Sequence, residues 1–165
     1  MERLRTRTWR EISLANLEHN YRALRALLPQ GCRFLGVVKA NAYGNGAVSV
    51  ARRLEKLGAE YLAVACVDEA AELREAGVRT PILVLGDTPN ECAGDLLRLD
   101  LTQNVPDLET ARALSAAAVA AGKTLKVHMK VDTGMSRLGF LCDEAHMDAS
   151  AEELARASRL PGLDA

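Results

Sequence analysis

Short apolar runs alternate regularly with longer helical patterns along the chain, and this alternation is what most limits the fold. The apolar runs lie at residues 34–39, 61–66, 82–85, 101–105 and 125–131. The segments between them carry apolar residues at helical spacing, and several are closed by a glycine, namely Gly58, Gly77 and Gly122. Helix N-caps are predicted at Ser13, Asp68 and Thr88. Because strands joined by helical crossovers run parallel, the sequence predicts an α/β fold on a parallel sheet, either a closed barrel or an open doubly wound sheet.

The composition excludes several classes of function. With 21 basic and 22 acidic residues the net charge is −1, and only 4% of residues are aromatic, so a nucleic-acid partner is not expected. The apolar stretches are too short to span a bilayer, and the charged residues 1–12 do not form a secretory signal. We therefore expect a cytoplasmic protein with no membrane partner. The four cysteines lack metal-ligand spacing, which predicts reduced thiols and no metal site.

Lys39 follows the first apolar run and precedes a loop that contains Gly44 and Gly46. In parallel α/β folds, catalytic groups collect at the carboxyl ends of the strands. Burial there favours the neutral amine of a lysine, a nucleophile suited to forming a Schiff base, and Tyr43 could reach the same site. Two other interpretations stay open. Lys39 could extend into solvent before an ordinary turn, or the glycines could belong to a nucleotide-binding loop, although the third glycine of that fingerprint is missing.

The fifth apolar run continues into a second polar segment, residues 126–140. Alternation along a strand places Lys126, His128, Lys130 and Asp132 on one face. A polar face on so apolar a strand needs partners, which predicts an internal polar network. An edge strand with one face in water is the alternative. We interpret His128 as a hydrogen-bonded core residue rather than a metal ligand.

The segment VVKANAYGNG, residues 37–46, resembles the cofactor-lysine signature of the alanine racemase family, whose usual form is KANAYGHG. The resemblance implies that pyridoxal 5′-phosphate (PLP) is the cofactor. It also implies that Lys39 binds PLP as a Schiff base, the internal aldimine, and acts as an acid–base catalyst, and that Tyr43 contacts the cofactor phosphate. The sequence departs from the usual form at Asn45, where histidine is usual, which bears on local contacts of the loop.

The segment VHMKVDTGMSRLGF, residues 127–140, resembles the second signature of the same family, VHLKVDTGMGRLGF. The resemblance implies that Lys130 is carbamylated and that its new carboxylate orients Arg137. Arg137 would then donate to the phenolic oxygen of the cofactor and help to bind the substrate carboxylate, with Met135 in the same substrate region. Ser136 stands where glycine is usual. Residues 7–25 are similar to the family's N-terminal entry, so the matches run from about residue 7 to residue 140.

The family fold is a parallel (β/α)8 barrel that binds PLP, followed by a β-rich C-terminal domain. With five predicted strands, residues 1–165 are expected to form one domain, the N-terminal part of that barrel with about five of its eight βα units, and to lack the β-domain. The resemblance places the other phosphate ligands and a tyrosine that acts as the second base outside this segment. That tyrosine would act across the interface of a homodimer.

The activity that the resemblance implies is the interconversion of L- and D-alanine, which supplies D-alanine for peptidoglycan. The isolated segment is expected to be inactive, because part of the catalytic equipment lies elsewhere. Two relatives with the same barrel are alternatives: a racemase of serine or another amino acid, and a lone-barrel protein of PLP homeostasis. A non-catalytic Rossmann-like binding module is a further alternative, against which Lys39 argues.

Overall fold

The computed structural model describes residues 8–165, and residues 1–7, with the start of the predicted N-terminal match, lie outside the described residues. The first element is α1 (Leu14–Ala26). The Ser13 side chain accepts a hydrogen bond of 3.2 Å from the Asn16 amide, which confirms the predicted N-cap. Tyr21 is the buried residue of α1, and its ring packs edge-on against Phe34 with ring centroids 4.8 Å apart. This contact anchors α1 to the start of the first strand.

Six strands form one sheet: β1 (Leu35–Val37), β2 (Tyr61–Val64), β3 (Ile82–Val84), β4 (Leu101–Val105), β5 (Leu125–Met129) and β8 (Leu163–Asp164). All of its neighbouring strands pair in parallel. The five predicted strands are therefore confirmed, four of them shorter than predicted. β8 is a sixth strand that the sequence analysis missed, because two residues carry no detectable alternation. A separate parallel pair is formed by β6 (Val131–Asp132) and β7 (Phe140–Leu141).

Helical segments connect the strands: α2 (Lys39–Gly44), α3 (Ala47–Lys56), α4 (Val67–Glu75), a 3₁₀ turn (Asn90–Cys92), α5 (Ala93–Arg98), α6 (Leu108–Ala120) and α7 (Met147–Ala157). Gly58, Gly77 and Gly122 follow three of these helices with positive φ, as predicted. The predicted N-caps at Asp68 and Thr88 are wrong. Asp68 lies inside the first turn of α4, which begins after Cys66. Thr88 is buried and donates to Gln103 Oε1 at 2.7 Å, five residues before α5 begins.

The order of the strands in the sheet is the order along the chain, β1-β2-β3-β4-β5-β8, with no reversal. Right-handed crossovers between such strands place every connecting helix on the same face. That face is packed: a Cβ at Gly36 would lie 2.6 Å from Leu54 of α3. The opposite face is more open, and Leu35 and Val37 are 38% and 40% exposed there. The sheet is thus wound as part of a (β/α)8 barrel, and the doubly wound alternative is wrong.

The core lies between this sheet and its helices. Its fully buried side chains come from both layers: Leu62, Ile82, Leu101 and Leu125 from the strands, and Leu73, Leu96 and Leu114 from the helices. No disulfide joins the four cysteines, all of which lie within the described residues. Within residues 8–165, no helix is both long enough and apolar enough to cross a bilayer.

Candidate active site

Lys39 lies where β1 ends, at the carboxyl edge of the parallel sheet. The preceding residue, Val38, is buried, and its amide still donates to Ala63 O of β2 at 2.8 Å, so the sheet pairing fixes the backbone up to this point. Lys39 itself is half-buried. The strand was predicted to continue through Lys39, but it ends two residues earlier because the chain turns sharply after Val38.

The turn after Val38, α2, has left-handed backbone geometry at four consecutive residues, none of them glycine. Ala40, Asn41, Ala42 and Tyr43 have φ of 51°, 53°, 51° and 54° with ψ of 49°, 45°, 48° and 38°. Each L-residue in this conformation costs roughly 1–2 kcal/mol relative to a right-handed turn. Backbone strain of this kind persists only where surrounding contacts hold it, and such positions cluster at functional sites.

Hydrogen bonds within the segment hold the left-handed turn in place. The Ala42 amide donates to Val38 O at 2.8 Å, and Asn45 Nδ2 donates to Ala42 O at 2.8 Å. Asn41 Oδ1 accepts from the Ala47 amide at 2.7 Å and so ties the turn to the start of α3. Asn45, the departure from the usual signature, therefore has a local structural role.

Tyr43 and the end of the turn lie at the surface of the described chain. Tyr43 is 61% exposed, which leaves its hydroxyl accessible to a ligand. The Arg10 guanidinium donates to Gly44 O and, at 3.4 Å, to Tyr43 O. The segment before α1 therefore fixes the backbone that carries Tyr43.

Glu69, in the first turn of α4, contacts the same region and was missed by the sequence analysis. Its Oε1 accepts from the Ala40 amide at 2.7 Å, and its Oε2 accepts from the Ala65 amide at 2.7 Å. One carboxylate thus joins the residue after Lys39 to the end of β2. A glutamate in the first turn of a helix was the available signal, but the sequence could not show that its second oxygen reaches another βα unit.

The second polar segment does not form one strand. β5 ends at Met129, and the chain starts β6 at Val131, so the predicted strand over residues 125–131 is split at Lys130. The backbone of Lys130 is held on both sides, since its amide donates to Val105 O at 2.9 Å and its carbonyl accepts from the Phe140 amide at 2.8 Å. Lys130 is half-buried between the two sheets.

The internal polar network predicted along β5 is not formed among the described residues. Lys126 and His128 are exposed, and the His128 side chain makes no hydrogen bond within residues 8–165, so its interpretation as a hydrogen-bonded core residue is wrong. Lys126 pairs with Asp100 at 3.0 Å, and the His128 ring lies beside the Tyr61 ring with centroids 6.0 Å apart. Asp132, predicted on the same face, is instead 6% exposed and belongs to β6. The predicted face is therefore broken where β5 ends.

Asp132 organises the loop that follows it. Its Oδ1 accepts from the Gly134 amide at 2.9 Å and the Ser136 amide at 3.0 Å, and its Oδ2 accepts from the Arg137 amide at 2.8 Å. The Gly134, Ser136 and Arg137 amides lower the pKa of Asp132 below its ordinary value, because they stabilise the ionised carboxylate. Alternation along the strand predicted Asp132 on the polar face of β5, and no signal in the sequence indicated its contacts with the loop amides.

The loop that Asp132 shapes carries Met135 and Arg137. Met135 is 69% exposed, and Arg137 Nη2 lies 2.8 Å from Met135 Sδ. Arg137 also lines a cavity of about 390 Å³ together with Asp87, Asp107 and Asp132. Within residues 8–165, no hydrogen bond joins Arg137 to Lys39, Tyr43 or the side chain of Lys130. The structure therefore presents two separate groups of candidate residues, the α2 turn and the loop after β6.

Comparison with known proteins gives one consistent result. The family model described as alanine racemase, N-terminal domain, matches residues 12–164. An alanine racemase from Desulfovibrio desulfuricans is 48% identical over 137 residues, which are 83% of this chain and 37% of that protein. A solved structure of alanine racemase from Clostridium difficile 630, in complex with cycloserine, has a TM-score of 0.91 at 41% identity and covers 98% of this chain and 43% of that one.

A histidine racemase from Leuconostoc mesenteroides is also similar in structure, with a TM-score of 0.77 at 29% identity over 92% of this chain and 40% of that one. The chain thus spans about two fifths of the length of the proteins that it matches.

Proposed function

The chain belongs to the alanine racemase family, which it matches through the N-terminal domain, and from this premise we propose that it is the cofactor-binding part of a PLP-dependent enzyme that interconverts L- and D-alanine. The observation that carries the proposal is the position of Lys39, a half-buried lysine at the carboxyl end of β1 on a strained turn. Residues 1–165 would form one domain, the N-terminal part of the (β/α)8 barrel of a longer polypeptide.

The residues of the α2 turn fit PLP. A cofactor with an aldehyde and a phosphate needs a lysine amine and a phosphate ligand close to one another. Lys39 and Tyr43 lie four positions apart on this turn, and within the described chain neither side chain is engaged in a hydrogen bond or ion pair. Lys39 would hold the cofactor through Nζ, and Tyr43 would hold the phosphate through its hydroxyl.

The loop after β6 would bind the other side of the cofactor and the substrate. The Arg137 guanidinium, a planar donor, would donate to the phenolic oxygen of the cofactor and to the substrate carboxylate. Met135 lies beside Arg137 and would contact the substrate. Carbamylation of Lys130 would add a carboxylate that orients Arg137, which requires a change of the Arg137 side chain from its present position beside Met135.

The proton transfers assign a role to Lys39. PLP, when bound, withdraws electrons from the α-carbon of the amino acid and so acidifies its α-hydrogen. The Nζ of Lys39 would then accept or return that proton on one face of the α-carbon. Racemisation needs a second proton carrier on the opposite face, and by the family resemblance this would be a tyrosine of a C-terminal domain, contributed by the partner in a homodimer. The product D-alanine would supply peptidoglycan synthesis in the cytoplasm.

A different amino-acid substrate is the second candidate. This candidate is supported by the similarity to a protein named histidine racemase, at 29% identity, because its name gives a substrate other than alanine. Both candidates use Lys39 in the same way, so the choice of substrate is tested separately from the cofactor.

Borohydride reduction of the complete gene product with bound PLP tests the proposal. Reduction fixes the cofactor to its lysine, and peptide mass spectrometry should find the label on Lys39. Lys39→Ala should abolish both labelling and racemisation of alanine. Lys56→Ala, at an exposed lysine in the last turn of α3, is the matched control and should change neither. Labelling of Lys130 in place of Lys39 would refute the assignment, and racemisation of histidine or serine in preference to alanine would favour the second candidate.

A further inference from the structure

Glu69 connects two βα units at the carboxyl edge of the sheet. It is half-buried at the third position of α4, with one oxygen on the Ala65 amide and the other on the Ala40 amide, both at 2.7 Å. The contact with Ala65 is local, since it satisfies an amide just before the helix, as first-turn glutamates often do. The contact with Ala40 spans 29 positions of the sequence and has no such local purpose.

The amide of Ala40 belongs to the peptide group that leaves the Cα of Lys39. A hydrogen bond to this amide restrains rotation about the bond between the Cα and the carbonyl carbon of Lys39. The same hydrogen bond therefore restrains the direction of the Cα–Cβ bond of Lys39, along which the side chain leaves the backbone. The other side-chain hydrogen bonds of the α2 turn act further along the chain. Asn41 Oδ1 accepts from the Ala47 amide, and Asn45 Nδ2 donates to Ala42 O. The Arg10 guanidinium donates to Gly44 O.

Strain makes such a restraint necessary. The turn begins its left-handed run at Ala40, where φ is 51°, and an unrestrained chain of L-residues favours the right-handed region. A carboxylate that accepts two amide hydrogen bonds provides a strong and directional anchor at that position, because charge-assisted bonds are stronger than neutral ones. Without it, the first residue of the run would be free to relax, and Lys39 would turn with it.

We propose that Glu69 is a positioning residue for Lys39: it anchors the Lys39–Ala40 peptide and so holds the lysine amine in line with the α-carbon of the substrate. This inference rests on the proposed function, in which Lys39 transfers the proton. Glu69 itself would contact neither substrate nor cofactor, and its effect would pass through the backbone. A displacement of a reacting group by about 1 Å costs up to roughly a hundredfold in rate.

The test compares three variants of the complete gene product. Glu69→Gln keeps the size of the side chain but turns one acceptor into a donor, so it cannot accept from both amides. Glu69→Asp keeps the charge but shortens the reach by one methylene. Asp68→Asn is the matched control. Asp68 is an acidic residue of the same helical turn, and this substitution removes the same charge near the α4 N-terminus as Glu69→Gln does.

We expect kcat for racemisation to fall on the order of ten- to a hundredfold in both Glu69 variants, with a smaller change in KM. The circular dichroism band of bound cofactor in the visible range should also weaken per mole of cofactor, because the orientation of the attached group is less defined. A purely structural role would lower the unfolding midpoint and leave that band unchanged. Asp68→Asn should keep kcat and the band at the wild-type level.

Wild-type kcat and an unchanged cofactor band in Glu69→Gln and Glu69→Asp would overturn the inference. An equal loss of kcat in Asp68→Asn would also overturn it, because the charge of the helix terminus would then explain the effect. If Glu69→Gln does not fold, Glu69→Asp decides, and failure of both to fold would assign Glu69 to stability instead. A wild-type protein that neither binds PLP nor racemises amino acids would refute the proposed function itself, which separates the two failures.

Discussion

Alanine at position 139 tests whether a close approach of two backbone segments holds the region of Lys130 in place. Gly139 has φ of 126°, and a Cβ there would lie 2.8 Å from both Lys130 O and the Asp132 amide nitrogen. Gly134, in the same loop, has φ of 131°, but a Cβ there would meet no atom within 4 Å. The two glycines therefore share an unfavourable backbone conformation and differ in the space around them.

The difference between the two substitutions can be worked from these contacts. An L-residue at such a φ costs of order 1–3 kcal/mol, and this applies to Gly134→Ala and Gly139→Ala alike. Gly139→Ala must also push apart β6 and β7, which are joined by hydrogen bonds of 2.8 and 3.0 Å. Since each bond contributes about 0.5–1.5 kcal/mol, Gly139→Ala should lower the free energy of unfolding by about 1–3 kcal/mol more than Gly134→Ala.

Urea denaturation of the complete gene product measures this difference in the free energy of unfolding. Unchanged m-values would show that the two variants can be compared directly. Hydrogen exchange adds a local measurement, because the Phe140 amide donates to Lys130 O and should lose protection only in Gly139→Ala. If Gly139→Ala is no more destabilising than Gly134→Ala, and the Phe140 amide stays protected, then the close approach is not what fixes the Lys130 backbone.

Asp132→Asn should destabilise the protein at neutral pH. Because amide donors lower the pKa of Asp132 below its ordinary 3.8, the difference from wild type should shrink as the pH falls through the lower native value, in denaturation curves measured from pH 7 downwards. A difference that does not depend on pH would contradict this. Lys130→Ala should impair racemisation, with partial rescue by small carboxylates that replace the carbamate, and a fully active variant would exclude carbamylation as a requirement. Residues 1–165 expressed alone should not racemise alanine and should unfold with low cooperativity, since Leu35 and Val37 on the open face are 38% and 40% exposed; an active, cooperative monomer would show otherwise.

Much of the fold could be predicted from the sequence because its signals are periodic and local. The five strands stand out as apolar runs, and the glycines that end the helices mark where each crossover turns back. Ser13 was predicted correctly as an N-cap because its partner is three residues away. Threonine is also a common N-cap residue, but the hydroxyl of Thr88 donates instead to the buried side chain of Gln103, fifteen positions later. Local propensity cannot show such a competing tertiary contact.

The candidate site divides in the same way. Two short motifs predicted the candidate residues Lys39, Tyr43, Lys130, Met135 and Arg137. The roles assigned to these residues remain proposals. The contacts that position them could not be predicted, because they depend on where distant backbone lies. Glu69 reaches across 29 positions, and the loop amides converge on Asp132 only because that loop curls around it.

The handedness of the α2 turn limits which side chains this part of the chain can carry. A left-handed turn is the mirror image of the right-handed turn that L-residues favour, and D-residues form it without strain. A synthetic chain with D-alanine at positions 40 and 42 should therefore form it more readily. A β-branched residue at Ala40 would crowd the neighbouring carbonyl. Ala42 is only 4% exposed, so a larger side chain there would have to be placed inside the fold. These two alanines bring no reactive group to the site. They are the small residues through which an L-polypeptide adopts mirror-image geometry between Lys39 and Tyr43.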